Sequence, residues 1–98
     1  MNIEYKNKEY ERVCTQYQYA VKKYGKNQAD KIHQRIDELK AAFSVDMLVQ
    51  FKIGRCHQLT SDRNGQFAMD LVQPYRLVFE KKNTDIQTVR IIEIVDYH

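Results

Sequence analysis

Three polar groupings in the second half of the chain carry residue types that could do chemistry: Lys52-Ile53-Gly54-Arg55-Cys56-His57, Asp62-Arg63-Asn64-Gly65, and Tyr75-Arg76 together with Asp96-Tyr97-His98. All fall at expected strand ends or loops, where a rigid scaffold displays functional side chains. The second grouping also reads as an ordinary turn, with Gly65 supplying positive φ and Asp62 its own side-chain cap, and Arg63 standing beside it. His57 follows Cys56 directly. Successive side chains on a strand point to opposite faces, so the two do not form a Cys-His nucleophilic pair. His33, His57 and His98 are scattered, with no HxxxH or CxxC partner, and no metal is expected.

A histidine such as His57 serves as a satisfied, partly buried side chain at least as often as it serves in catalysis, so the company it keeps decides its reading. Asp96, Tyr97 and His98 follow directly on an expected strand, Ile91 to Val95, which would hold them near the sheet. Together with His57 and Arg76 they would supply a proton acceptor, a proton donor and a cation. Metal-free RNA scission needs that set: removal of the 2′-hydroxyl proton, stabilisation of charge on the phosphorane, and protonation of the 5′-oxygen leaving group.

The elements that must position these groups follow from hydropathy patterning. The 98 residues are 43% apolar and 30% charged, with three Gly and one Pro, which excludes collagen-like, low-complexity and strongly disordered classes and suits one domain spanning 1–98. Two cysteines, Cys14 and Cys56, make no disulfide framework and fit a reducing, cytoplasmic setting. No apolar run approaches the roughly 18 residues of a membrane span, and the opening MNIEYKNKEY lacks the apolar stretch of a signal peptide. Sixteen Lys and Arg against 13 Asp and Glu leave a net charge of +3, so any basic surface must be local. Seven Tyr accompany no Trp, and the five among the first 24 residues read as packing groups.

Residues 2–6 alternate and predict a short opening strand. Asn7 is a plausible N-cap for a helix carrying Val13, Tyr17, Ala20, Val21 and Tyr24, interrupted near Thr15 and ended by Gly25. From Asn27, the stripe Ala29, Ile32, Ile36, Leu39 and Phe43 predicts a second helix, making an antiparallel helical hairpin. Ser44 caps a short turn through Leu48. Two half-buried strands follow around Phe67–Leu71 and Tyr75–Phe79, joined at Gln73-Pro74, then a polar loop over 81–88 and a last strand, Val89 to Val95. The fold class is α+β: a short N-terminal strand and helical hairpin packed on one face of a small antiparallel sheet.

Gly-Arg-Cys-His-Gln-Leu (54–59), Ser-Asp-Arg-Asn-Gly-Gln-Phe-Ala-Met-Asp-Leu (61–71), Pro-Tyr-Arg-Leu-Val-Phe-Glu (74–80) and the terminal Glu-Ile-Val-Asp-Tyr-His together resemble HigB-type toxins of the RelE/ParE superfamily. The resemblance covers nearly the whole chain and is strongest over 54–98. It implies a toxin that cuts mRNA inside the ribosome, without cofactor, and is silenced by an antitoxin, here a HigA-like helix-turn-helix protein. By the same resemblance His57, Arg76, Asp96, Tyr97 and His98 form the catalytic set. His57 and His98 serve as acid and base, Arg76 as phosphate clamp, Tyr97 orients, and Asp96 fixes a histidine tautomer. Lys52, Arg55 and Arg63 become candidate contacts to the backbone of rRNA or mRNA, against the plain alternative of solvated surface charge. The net charge of +3 is a departure, since toxins of this family are often more basic. Two other classes of function share the pattern: a ParE-like protein that binds and inhibits gyrase, and a non-catalytic interaction domain.

Overall fold

A computed structural model describes residues 1–60, 63, 65–82 and 85–96. The elements run β1 (Asn2–Tyr5), α1 (Lys8–Thr15), α2 (Tyr17–Tyr24), α3 (Lys26–Ala41), α4 (Val45–Gln50), a 3-10 turn (Ile53–Arg55), β2 (His57–Gln58), β3 (Gln66–Asp70), β4 (Tyr75–Lys82) and β5 (Asp85–Asp96).

Local chemistry accounts for most boundaries. The Asn7 side chain accepts from the Tyr10 amide at 2.9 Å and starts α1, and the Ser44 hydroxyl accepts from the Met47 amide at 3.2 Å and starts α4. The first helical stretch is two helices, because Gln16 is extended (φ −118°, ψ 100°) between α1 and α2. Gly25, at φ 86°, ends α2 and begins α3, a conformation in which a Cβ would be strained. The hairpin of α2 and α3 then brings Tyr17 back to Asp30 and His33, with the phenol donating to Asp30 at 2.5 Å. Tyr5, Tyr10, Tyr17, Tyr19 and Tyr24 all pack against the core, as expected.

The sheet order is β1-β5-β4-β3-β2. Three of its pairings are antiparallel, but β1 runs parallel to β5, with Ile3 opposite Val89, so the sheet is mixed rather than purely antiparallel. The helical segments lie between β1 and the remaining strands in sequence and return the chain in the same direction. The helices cover one face, where Ile32, Ile36 and Leu39 of α3 meet Met69, Leu77, Phe79 and Ile91. The other face carries a smaller cluster of Leu59, Ala68 and Val78, with Ile92 and Val95 beside it.

Two further sequence expectations change, and a third falls outside the described residues. The segment 81–88 is mostly strand: β4 continues through Lys82 and β5 begins at Asp85, pairing Lys81 with Val89 and Lys82 with Asp85, because ladder hydrogen bonds are made by the backbone and do not require apolar side chains. Phe43 does not continue the α3 stripe; the helix stops at Ala41 and Phe43 is 77% exposed. Asp62 and Asn64 of the expected turn, and Tyr97 and His98, lie outside the described residues. Among the described residues no helix is long and apolar enough to cross a membrane.

Candidate functional site

The site begins where α4 ends. Phe51 closes the helix, and Lys52, Gly54 and Arg55 then adopt φ of 54°, 59° and 54°. Two of these three are not glycine, and left-handed backbone at such residues costs about 1 to 3 kcal/mol each. The reversal brings Lys52, Arg55 and His57 to a cavity of about 430 Å³ that Val49, Cys56 and Arg76 of β4 also line. Four of the eight sequence-predicted residues therefore line one cavity.

His57 pairs with Ala68 across the β2–β3 ladder, Ala68 with Val78, and Asp70 with Arg76. Since Ala68 and Val78 belong to the cluster away from the helices, His57, Asp70 and Arg76 share that face. The His57 Nδ1 lies 2.9 Å from the carbonyl oxygen of Arg55. A carbonyl only accepts, so Nδ1 carries the hydrogen and Nε2 is the acceptor nitrogen of the neutral ring. Cys56, its neighbour, points into the helix-covered core, and burial pushes its thiol up to about 12, so it offers no nucleophile.

Arg63 stands apart from this cavity. Its guanidinium pairs with Glu93 and donates from Nε to the Gln66 side chain at 2.7 Å. Asp96 also lies off the shared face. Its ladder partner is Tyr75, whose ring packs into the helix-side core, while Arg76 faces Val95. A register shift opposite Val78 and Phe79 causes this: Val78 pairs with Glu93 and Phe79 with Ile91, so Ile92 is the extra residue and the alternation of β5 changes phase.

Sequence reasoning missed three residues that build the site. Asp70 forms ion pairs with two arginines, Oδ2 to Arg55 Nε at 3.4 Å and Oδ1 to Arg76 Nε at 3.9 Å. Arg35 of α3, 8% exposed, donates through Nε to the Asp70 carbonyl at 2.6 Å and through a terminal nitrogen to Glu38 at 2.9 Å. Gln28, two turns earlier on the same face of α3, donates to the Val72 carbonyl at 3.1 Å and accepts from the Val72 amide at 2.8 Å. A signal for Asp70 was present: it and Arg76 are equidistant from Gln73, so a tight hairpin centred there makes them partners. Among the described residues no group of three His, Cys, Asp or Glu side chains converges as a metal site.

No protein-family model and no curated protein matches the sequence. Solved structures do match the fold. A YoeB/ParE toxin from Agrobacterium tumefaciens is similar at TM-score 0.66 and 15% identity, covering 100% of both chains. The YoeB toxin of Staphylococcus aureus matches as a YoeB-YefM complex at TM-score 0.65 and 19% identity, and as a YoeB dimer at 0.63 and 20%, each covering 100% of this chain and 97% of the other. The fold is that of the YoeB/ParE toxins. In the YoeB/ParE fold of this chain, the cavity lies where α4 and its 3-10 turn meet β2 and β4.

Proposed function

We propose that this chain is the toxin of a type II toxin-antitoxin pair: a HigB-type, metal-independent endoribonuclease of the RelE/ParE superfamily that cuts mRNA on the ribosome in the cytoplasm and is neutralised by a HigA-like helix-turn-helix antitoxin. The observation that carries the reading is the meeting of Lys52, Arg55, His57 and Arg76 on one cavity. The fold shared with YoeB, whose solved structures include a complex with YefM, supports the same class.

In this reading Arg76 takes the scissile phosphate and offsets charge on the phosphorane, with Lys52 and Arg55 on the flanking backbone. His57 presents Nε2 for proton transfer and shares the acid and base roles with His98, while Tyr97 orients. The Arg55 carbonyl already sets the His57 tautomer, so Asp96 is assigned to His98 instead. Arg63, committed to Glu93 and Gln66, would act at most at the margin of the RNA path.

The test is induced expression in bacteria of wild type beside Arg76→Ala and a variant lacking residues 96–98, following growth and mapping mRNA 5′ ends. Growth arrest with new ends inside translated codons, for wild type alone, is expected. Arrest without new ends would replace this reading with inhibition of a protein such as gyrase. Normal growth with well-folded wild type would leave a non-catalytic interaction domain.

A further inference from the structure

We infer that Asp70 is a positioning residue, whose carboxylate holds the guanidinium groups of Arg55 and Arg76 as one pair at the cavity that His57 lines. This rests on the reading of that cavity as the RNA-cleaving site.

Asp70 is fixed from two directions. The β3–β4 register sets it opposite Arg76, and Arg35 of α3 grips its carbonyl at 2.6 Å. Arg35 is itself held by Glu38 and lies against Gly54, so the helix layer, the 3-10 turn and the sheet meet around this one aspartate. Its side chain is 14% exposed, and its two oxygens reach different arginines: Oδ2 to Arg55 Nε at 3.4 Å and Oδ1 to Arg76 Nε at 3.9 Å.

The Arg55 side chain is 76% exposed. An ion pair to so exposed a partner adds little stability, so steadying the fold is a poor account of the Arg55 contact. Geometry is a better one. A long exposed arginine samples many rotamers, and two guanidiniums approaching one phosphate repel each other unless a carboxylate lies between them. Asp70 supplies that charge, limits the rotamers of Arg55 and aims Arg76. The same carboxylate also repels the incoming phosphate. Removing its charge without changing its size therefore separates two effects: anion binding tightens while the chemical step slows.

Asp70→Asn and Asp70→Glu provide the test. Single-turnover cleavage of mRNA in translating ribosomes is followed against toxin concentration, with urea unfolding beside it. For Asp70→Asn the limiting rate should fall about 10- to 100-fold, the scale of a misplacement near 1 Å. Half-saturation should stay level or improve, and Asp70→Glu should recover most of the rate. An unchanged or faster Asp70→Asn would overturn the proposal, as would a joint loss of rate, binding and stability. A readout independent of cleavage is the arginine Nε–H signals in nuclear magnetic resonance during titration with inorganic phosphate. In wild type the Arg55 and Arg76 signals should move with one midpoint, and in Asp70→Asn with two. A single midpoint in both proteins, or signals that never move, would overturn the positioning role. If phosphate behaves as expected but wild type cuts no mRNA, only the functional reading of the cavity fails.

Discussion

The Arg35 guanidinium lies so close over Gly54 that a Cβ added there would stand 2.7 Å from Nε and 2.9 Å from Cζ. Gly54 is also at φ 59°. Gly54→Ala should therefore destabilise the fold by about 2 to 4 kcal/mol, combining left-handed strain with overpacking against a buried arginine. Urea unfolding measures it. In an Arg35→Ala background the contact disappears, and the Gly54→Ala loss should shrink to about 1 kcal/mol. An equal loss in both backgrounds would show that the close approach is not the cause.

Gln28 of α3 satisfies both the amide and the carbonyl of Val72 at the turn between β3 and β4. Gln28→Ala should lower stability by about 1 to 3 kcal/mol, since two backbone groups lose their partners together. Because that turn joins the strands bearing Asp70 and Arg76, hydrogen exchange at Leu71 and Tyr75 should accelerate more than at Ile32 or Leu39. Uniform acceleration across all four amides would contradict a local anchor.

Cys14 and Cys56 are buried, and burial pushes both thiols up to about 12 from an ordinary 9.0. A raised folded-state value means that the native chain keeps its proton where the unfolded chain loses it. This contribution to stability is complete below pH 9 and is lost between pH 9 and 12. Tyr5, pushed to about 12 chiefly by burial, adds to the loss from its ordinary 10.0 upward. The urea midpoint should fall steadily above pH 9, less steeply in Cys14→Ala/Cys56→Ala. At pH 8 a thiol reagent should label folded protein only as fast as it opens.

His57 donates through Nδ1 to the Arg55 carbonyl, which leaves Nε2 as the acceptor nitrogen of the neutral ring. His57→Asn can keep the Nδ1 bond, and His57→Gln keeps a polar atom near Nε2 instead. If proton transfer passes through Nε2, both should lose about 10²- to 10⁴-fold in cleavage rate. Only His57→Gln should also lose about 1 kcal/mol of stability with the missing bond. Full activity in either variant would remove His57 from the proton path.

The contrast between what patterning reveals and what it hides is sharp on α3. Ala29, Ile32, Ile36 and Leu39 announce its buried face through their spacing, yet Gln28 and Arg35 occupy that face as well and do the anchoring. A polar residue on a buried stripe is meaningful only once its partner is known, and both partners are backbone groups over 30 residues away in sequence. Asn7 and Ser44 were legible because a cap satisfies amides three residues on. The partnership of β1 with β5 was not, since alternation says nothing about which strand lies beside which. Asp96 shows the same limit: unbroken alternation from Ile91 would put it on the Arg76 face, but the extra residue at Ile92 transfers it to the Tyr75 face. Lys52, Arg55, His57 and Arg76 were named from residue type, while the reversal through left-handed backbone that gathers them carries no hydropathy signal.

The parallel pairing of β1 with β5 joins Asn2 to Thr88 and Tyr5 to Ile91, almost the full span of the described chain. The β3–β4 and β4–β5 ladders close over short loops and lose little chain entropy in forming, whereas β1 can dock only when both distant segments are already ordered. Folding should consequently proceed from the meander outward to β1, with this outermost strand the last to join and the first to leave.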